Sequence, residues 1–418
     1  NQCEGGYNLS NRGLANVDVV PHGEDRFAII TGQKKHLAFD DAHFYPAKEA
    51  IDMYHHWKED LALFAEMGFK TLRISIAWTR LFPTGEEIEP NPQGVAYYQS
   101  VFKALKKHHI EPIVTLSHYE MPLYLSKKYH GWLDRRLIDF FVTYAQAAFE
   151  SFGEYVKYWL TFNEIDSVGR HPFITAGLIP DQIPDDNLES AVYQSLHHQY
   201  VAAAKATTLL HQMSPSSRMG SMLTKLTTYP NTANPDDVLL ALQRNLDNYA
   251  PADVQVFGTY PPLYERYLKN KGIEIKKGKD DDAVLKKGTA DYLAFSYYMS
   301  RTESADPTKE KAAGNTIMSV KNPYLASTEW GWQIDPVGLE ISLLELYDRY
   351  RVPLIVVENG MGATDKTNVD GTINDDYRIN YLKAHIAAMS RAVSQGVDLF
   401  GFTSWAPIDS ISVSTSQM

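Results

Sequence analysis

The sequence predicts an α/β fold, a (β/α)8 TIM barrel, on three observations. Short β-branched runs recur along the whole chain, helical apolar patterns separate them, and no glycine-rich turn follows the first run as it would in a doubly wound open sheet. No linker divides the chain, so residues 1–418 are expected to form a single domain.

The first run is "TLRISIAW" (71–78), and "EPIVTLSHY" (111–119) repeats its character. "YWLTFNE" (158–164), "RMGSMLTKL" (218–226), "DYLAFSYYM" (291–299), "PLIVVENG" (353–360) and "DLFGFTSW" (398–405) follow. Between them, Ile51, Tyr54, Trp57, Leu61, Phe64 and Met67 recur every three or four residues, as do Tyr98, Val101, Phe102 and Leu105. A third stripe is Ile379, Leu382, Ile386, Met389 and Val393, and further helices read over roughly 135–155, 189–213 and 235–249. Alternation predicts parallel strands, and uninterrupted apolar strands predict burial on both faces. Seven runs fit an eight-stranded barrel with one strand missing. The polar stretches 269–291 and 364–376 read as surface loops.

A composition with 44% hydrophobic, 22% charged and 12% aromatic residues suits one large core and excludes a disordered or fibrous chain. The formal charge of −11 lacks the basic footprint of a nucleic-acid binder. One cysteine, Cys3, cannot form an internal disulfide, no apolar run approaches a membrane span, and no secretory h-region precedes Asn1. A cytoplasmic protein without membrane or nucleic-acid partners is expected. The sequence leaves a homo-oligomer open.

Barrels of this kind carry their chemistry at the C-terminal ends of the strands. Those ends hold Arg73, His118, Tyr119, Asn163, Glu164, Tyr297, Tyr298, Glu358 and Trp405. Glu164 and Glu358 each follow an apolar run, and two carboxyls meeting at one barrel mouth are the minimum equipment for cleaving a glycosidic bond. No metal-binding H-E-x-x-H, G-x-S-x-G elbow or phosphate-cradling P-loop is present, so neither a metal nor a cofactor is expected.

"TFNEID" and "VVENGMG" resemble the acid/base and nucleophile signatures of glycoside hydrolase family 1, the retaining β-glycosidases. "LRISIAWTRLFPTG", "TLSHYEMPLYL", "FSYYMS" and "KNPYLASTEWGWQIDPVGL" extend the likeness over the whole chain, and Ile165, where the family usually has proline, is similar to its 6-phospho-β-glucosidase branch. The resemblance implies Glu164 as acid/base, Glu358 as nucleophile, and Gln2, His118, Asn163 and Trp405 as sugar contacts. It implies Arg73 and Tyr298 as supports of the nucleophile, and Tyr119, Trp330 and Trp332 as the wall for the aglycone. Carboxyls about 5 Å apart would give net retention through a glycosyl-enzyme.

Aligning Trp405 and Asp409 with the family pattern puts Ser412 where glucosidases acting on plain sugars carry a glutamate, and Val413 where they carry a tryptophan. A hydroxyl is compatible with a sugar 6-phosphate that a carboxylate would repel, and Ser414 is a second candidate contact. The branch completes this clamp with a lysine and a tyrosine downstream, so the chain is expected to be a fragment lacking most of the first strand and the last helix. The expected substrate is a 6-phospho-β-glucoside, with an unphosphorylated β-glucoside, a 6-phospho-β-galactoside or a non-catalytic sugar-phosphate-binding role as alternatives.

Overall fold

A computed structural model describes residues 4–314, 317–408, 410–412 and 416. The chain divides into two compact units, residues 1–222 with 252–291 and 408–418, and residues 223–251 with 292–407. No helix among the described residues is long and apolar enough to cross a membrane.

In the first unit β1 (Thr71–Ser75), β2 (Glu111–Ser117), β3 (Tyr158–Phe162) and β4 (Arg218–Thr224, its last two residues counted with the second unit) run parallel in that order, with Thr71 opposite Glu111, Ile113 opposite Tyr158 and Tyr158 opposite Arg218. Each crossover is helical: α1 (Met53–Glu66) leads into β1, and α2 (Pro92–Lys107), α3 (Leu137–Phe152) and α4 (Leu188–Met213) link the strands that follow. The start of α2 is written in its sequence. Asn91 accepts the N–H of Gln93 at 3.2 Å, Pro92 supplies a preset φ, and Lys106 and Lys107 sit at the negative end of the helix dipole. Its inner face is the expected stripe of Tyr98, Val101, Phe102 and Leu105, all buried.

The aromatic content serves this core first. Trp78 stacks on Tyr144 with centroids 5.3 Å apart, Phe141 stacks on Phe162 at 4.6 Å, and Trp132 meets Phe162 edge-on at 5.4 Å. The buried Tyr144 hydroxyl reaches the carbonyls of Ile76 (3.1 Å) and Leu116 (2.8 Å), tying together the chain just beyond β1 and the end of β2.

In the second unit β5 (Tyr292–Ser296), β6 (Leu354–Glu358) and β7 (Leu399–Phe402) are parallel, with β6 between the other two and Leu354 opposite both Leu293 and Leu399. Helix α5 (Pro235–Phe257) spans the boundary between the units in sequence, α6 (Pro336–Tyr350) precedes β6, and α7 (Asp376–Ser394) precedes β7. All seven expected strands are present.

Two expectations are corrected. Helix α7 buries Tyr381, His385, Ala388, Met389 and Ala392 and exposes Ile379, Ile386 and Val393. Polar partners decide that rotation: Tyr381 and His385 stack at 3.9 Å, and the Tyr381 hydroxyl accepts from Asn359 Nδ2 at 3.0 Å. Within 269–291, Asp281–Lys287 is a helix rather than loop. Its Asp281 is buried because Arg135 Nη1 and His197 Nε2 each lie 2.8 Å from Oδ2, and Gly278 N–H donates to the same carboxylate.

Replacing Tyr144 with Phe removes the donor shared by two strand-end carbonyls. Urea unfolding is expected to show a loss of about 1–3 kcal/mol, the cost of leaving buried acceptors unpaired.

Candidate active site

The first half of the site begins where β3 stops. Asn163 N–H still donates to Ser117 O at 2.9 Å, so the ladder runs one residue beyond the strand and fixes Asn163 in a buried position. Arg73, on β1, donates from Nε to Thr115 Oγ1 at 3.0 Å and from Nη2 to Asn163 Oδ1 at 2.7 Å. With Oδ1 engaged by a guanidinium, Asn163 presents Nδ2 as its donor.

Glu164 takes a left-handed backbone, with φ of 37°. Tyr119, whose hydroxyl donates to Glu164 Oε2 at 2.8 Å, does likewise with φ of 65°. Left-handed non-glycine residues cost on the order of 1–3 kcal/mol each and persist where the surroundings over-determine them. Here both side chains of one hydrogen bond are aimed by such turns. Burial, and then the neighbouring Glu164 carboxylate, push the Tyr119 phenol well above its usual range, so it remains a donor.

A short 3-10 turn, Ile165–Gly169, follows Glu164 and carries Asp166 toward Arg170. Arg170 Nη1 donates to Asp166 Oδ2 at 2.7 Å, and Nη2 lies 3.6 Å from Glu164 Oε2. Sequence reasoning missed both residues; their i,i+4 spacing beside a strand-end glutamate was the available signal. His118 is buried, and desolvation followed by the charge of Arg73 holds its imidazole well below the usual range, neutral at ordinary pH.

The second half is assembled on β6. Glu358 is buried at its end; its main-chain carbonyl accepts from Tyr297 N–H at 2.9 Å, and its Oε2 accepts from the Tyr298 hydroxyl at 2.9 Å. Tyr298 meets Trp332 edge-on at 5.5 Å, and Trp330 meets Trp332 at 6.4 Å. The three aromatic residues form one wall. Asn359 anchors the strand end by donating to Tyr297 O at 2.7 Å, and its carbonyl accepts from Trp405 N–H at 2.8 Å, so the half-buried Trp405 is tied to the residue after Glu358. Gly362 is required for close approach, because a Cβ there would meet Trp330 Cε3 at 2.3 Å.

Ser412 is half-buried, and its carbonyl accepts from Ser416 N–H at 2.7 Å; the Ser416 hydroxyl lies 2.6 Å from His22 Nδ1. Gln2, Asp409, Val413 and Ser414 lie outside the described residues.

The family model described as "Glycosyl hydrolase family 1" matches residues 1–417. The chain belongs to glycosyl hydrolase family 1. Among its relatives, 6-phospho-beta-glucosidase AscB of Escherichia coli (strain K12) is 48% identical over 419 residues, covering 100% of this chain and 88% of that protein. Aryl-phospho-beta-D-glucosidase BglH of Bacillus subtilis (strain 168) is 49% identical over 419 residues, with 100% and 87% covered. Among solved structures, the family 1 chain matches a beta-glucosidase from Thermotoga maritima in complex with glucoimidazole, with a TM-score of 0.83, 25% identity and coverage of 99% of this chain and 88% of that one. Its fold is the TIM barrel of this family.

His171 follows Arg170 and is nine-tenths buried, and desolvation, then the charges of Arg170 and Arg26, push its imidazole down to about 3. Below its ordinary value near 6.5 the unfolded chain takes up a proton that the folded chain refuses, so this contribution to stability is present above pH 6.5 and falls away toward pH 3. Between pH 7 and pH 5 the unfolding free energy is expected to drop by about 2 kcal/mol more than that of His171→Phe, measured by urea titration at each pH.

Proposed function

We propose that the chain is a retaining 6-phospho-β-glucosidase that cleaves 6-phospho-β-D-glucosides to glucose 6-phosphate and the aglycone. The observation that carries this reading is identity of 48–49%, over the whole of this chain, to proteins named for phosphorylated β-glucosides, AscB and BglH. Ser412, a hydroxyl where glucosidases of plain sugars are expected to carry a carboxylate, supports it from this chain's own residues.

In this mechanism Glu358 attacks the anomeric carbon as Glu164 gives its proton to the departing oxygen, forming a covalent glycosyl-enzyme and the free aglycone. Glu164, now ionised, takes a proton from water; the water oxygen attacks the anomeric carbon and Glu358 leaves, restoring both groups and the original configuration. The Tyr298 hydroxyl on Glu358 Oε2 favours the ionised nucleophile before attack. Arg73 supports it with charge, and by occupying Asn163 Oδ1 it leaves the amide to donate to the sugar 2-hydroxyl. Tyr119 holds the Glu164 carboxyl, while His118, Trp405 and Gln2 take up the sugar and Trp330 and Trp332 face the aglycone. Ser412 and Ser414 contact the 6-phosphate.

No cofactor enters this scheme, and residues 1–418 act in it as a single glycosidase domain. A substrate carrying a phosphate of charge near −2 does not cross a membrane unaided, which supports a cytoplasmic enzyme working where that substrate is phosphorylated.

The discriminating assay compares 4-nitrophenyl β-D-glucoside 6-phosphate, its unphosphorylated parent and the galacto 6-phosphate. The first is expected to lead in kcat/KM by on the order of a hundredfold or more, since a polar pocket left unfilled rejects the analogue. Equal turnover of the parent would make the chain an ordinary β-glucosidase. Glu358→Ala is expected to lower kcat by roughly four orders of magnitude or more, read as release of nitrophenolate.

A further inference from the structure

Glu164 is surrounded by an arrangement that its role as acid/base does not by itself require. Asp166, Arg170 and Glu164 form a row within one short turn, with the guanidinium in the middle: 2.7 Å from Asp166 Oδ2 through Nη1, and 3.6 Å from Glu164 Oε2 through Nη2. The backbone fixes the row. Ser167 N–H donates to Glu164 O at 2.7 Å, Arg170 N–H to Ser167 O at 2.9 Å and His171 N–H to Ser167 O at 2.8 Å. Arg170 is 24% exposed and Asp166 10%, so water screens the pair only in part.

The charges have a definite order. The cation is next to Glu164 and the anion lies behind it, so the net charge of the pair is zero while its field at Glu164 is positive. Tyr119 faces the same carboxyl oxygen as a neutral donor, and His171, beside Arg170, is neutral above pH 3. A retaining acid/base needs opposite states in successive steps, protonated to release the aglycone and ionised to activate water. A bare arginine would bind the ionised form too well for the first step; a bare aspartate would oppose the ionised form needed in the second.

The geometry points to Arg170 and Asp166 as positioning residues, an ordered cation–anion pair that holds the Glu164 carboxyl and sets the pH range over which it alternates between acid and base. This inference rests on the acid/base role given to Glu164 above.

Its test is the pH dependence of kcat/KM on a substrate whose leaving group needs a proton, such as cellobiose 6-phosphate. Asp166→Asn, nearly isosteric, unmasks the cation and is expected to move the basic limb to lower pH by about half to one unit. Arg170→Met leaves the anion and is expected to move it to higher pH by a similar amount. Arg170→Lys is expected to stay near the wild-type profile, and the double variant to return toward it. If Arg170→Met does not fold, the sign of Asp166→Asn decides alone. Superimposable profiles, or a shift of both single variants in one direction, overturn the pair's role while leaving the acid/base assignment intact. That assignment is read separately with Glu164→Gln: wild-type turnover of cellobiose 6-phosphate by this variant overturns both, and its loss with shifted profiles for the other variants supports both.

Discussion

Parallel pairing is the constraint from which the site follows. Strands that run the same way and pair near their starts, as β1 with β2 and β2 with β3, must also end on the same side, and whatever comes next in the chain is delivered to that side. In the first unit those residues are His118 and Tyr119 after β2 and Asn163 and Glu164 after β3; in the second they are Tyr298 after β5, Glu358 closing β6 and Trp405 after β7. None of these side chains is needed to make the sheet. The apolar runs bury themselves against helices, and the polar residues take positions the sheet has already fixed.

This separation explains what was legible in the sequence. The seven strands could be read because each is a continuous apolar run bounded by a change of period, and the two glutamates because they stand at the ends of such runs. The rotation of α7 could not, because the hydrophobic count favoured Ile379 and Ile386 whereas hydrogen bonding and stacking chose Tyr381 and His385. Asp281 was hidden for the same reason: an acidic residue in a lysine-rich stretch reads as solvated until its partners, Arg135 and His197, arrive from distant elements. Patterns along the chain report where apolar surface goes. Pairing between remote polar groups leaves no periodic trace.

The two carboxylates are also held in unlike ways. Glu358 belongs to a strand, with its main chain in the β5–β6 ladder and its oxygen on Tyr298. Glu164 has left its strand and is turned by a left-handed backbone onto Tyr119 and Arg170. The residue proposed to form and break one covalent bond is therefore on the more regular support, and the residue proposed to exchange protons is on a turn that sets Arg170 and Asp166 beside it.

The contact between Gly362 and Trp330 has a further consequence for how this molecule can change. The indole rests directly on a peptide backbone, with no side-chain layer beneath it to absorb a substitution. A substitution that meets the face of the indole turned away from position 362 leaves that contact undisturbed. A mutation at 362 itself acts as a wedge: it must lift Trp330, and Trp330 meets Trp332, which in turn meets Tyr298. Change in this aromatic wall is thereby channelled toward its rim, while its floor remains mechanically coupled to the side chain that holds Glu358.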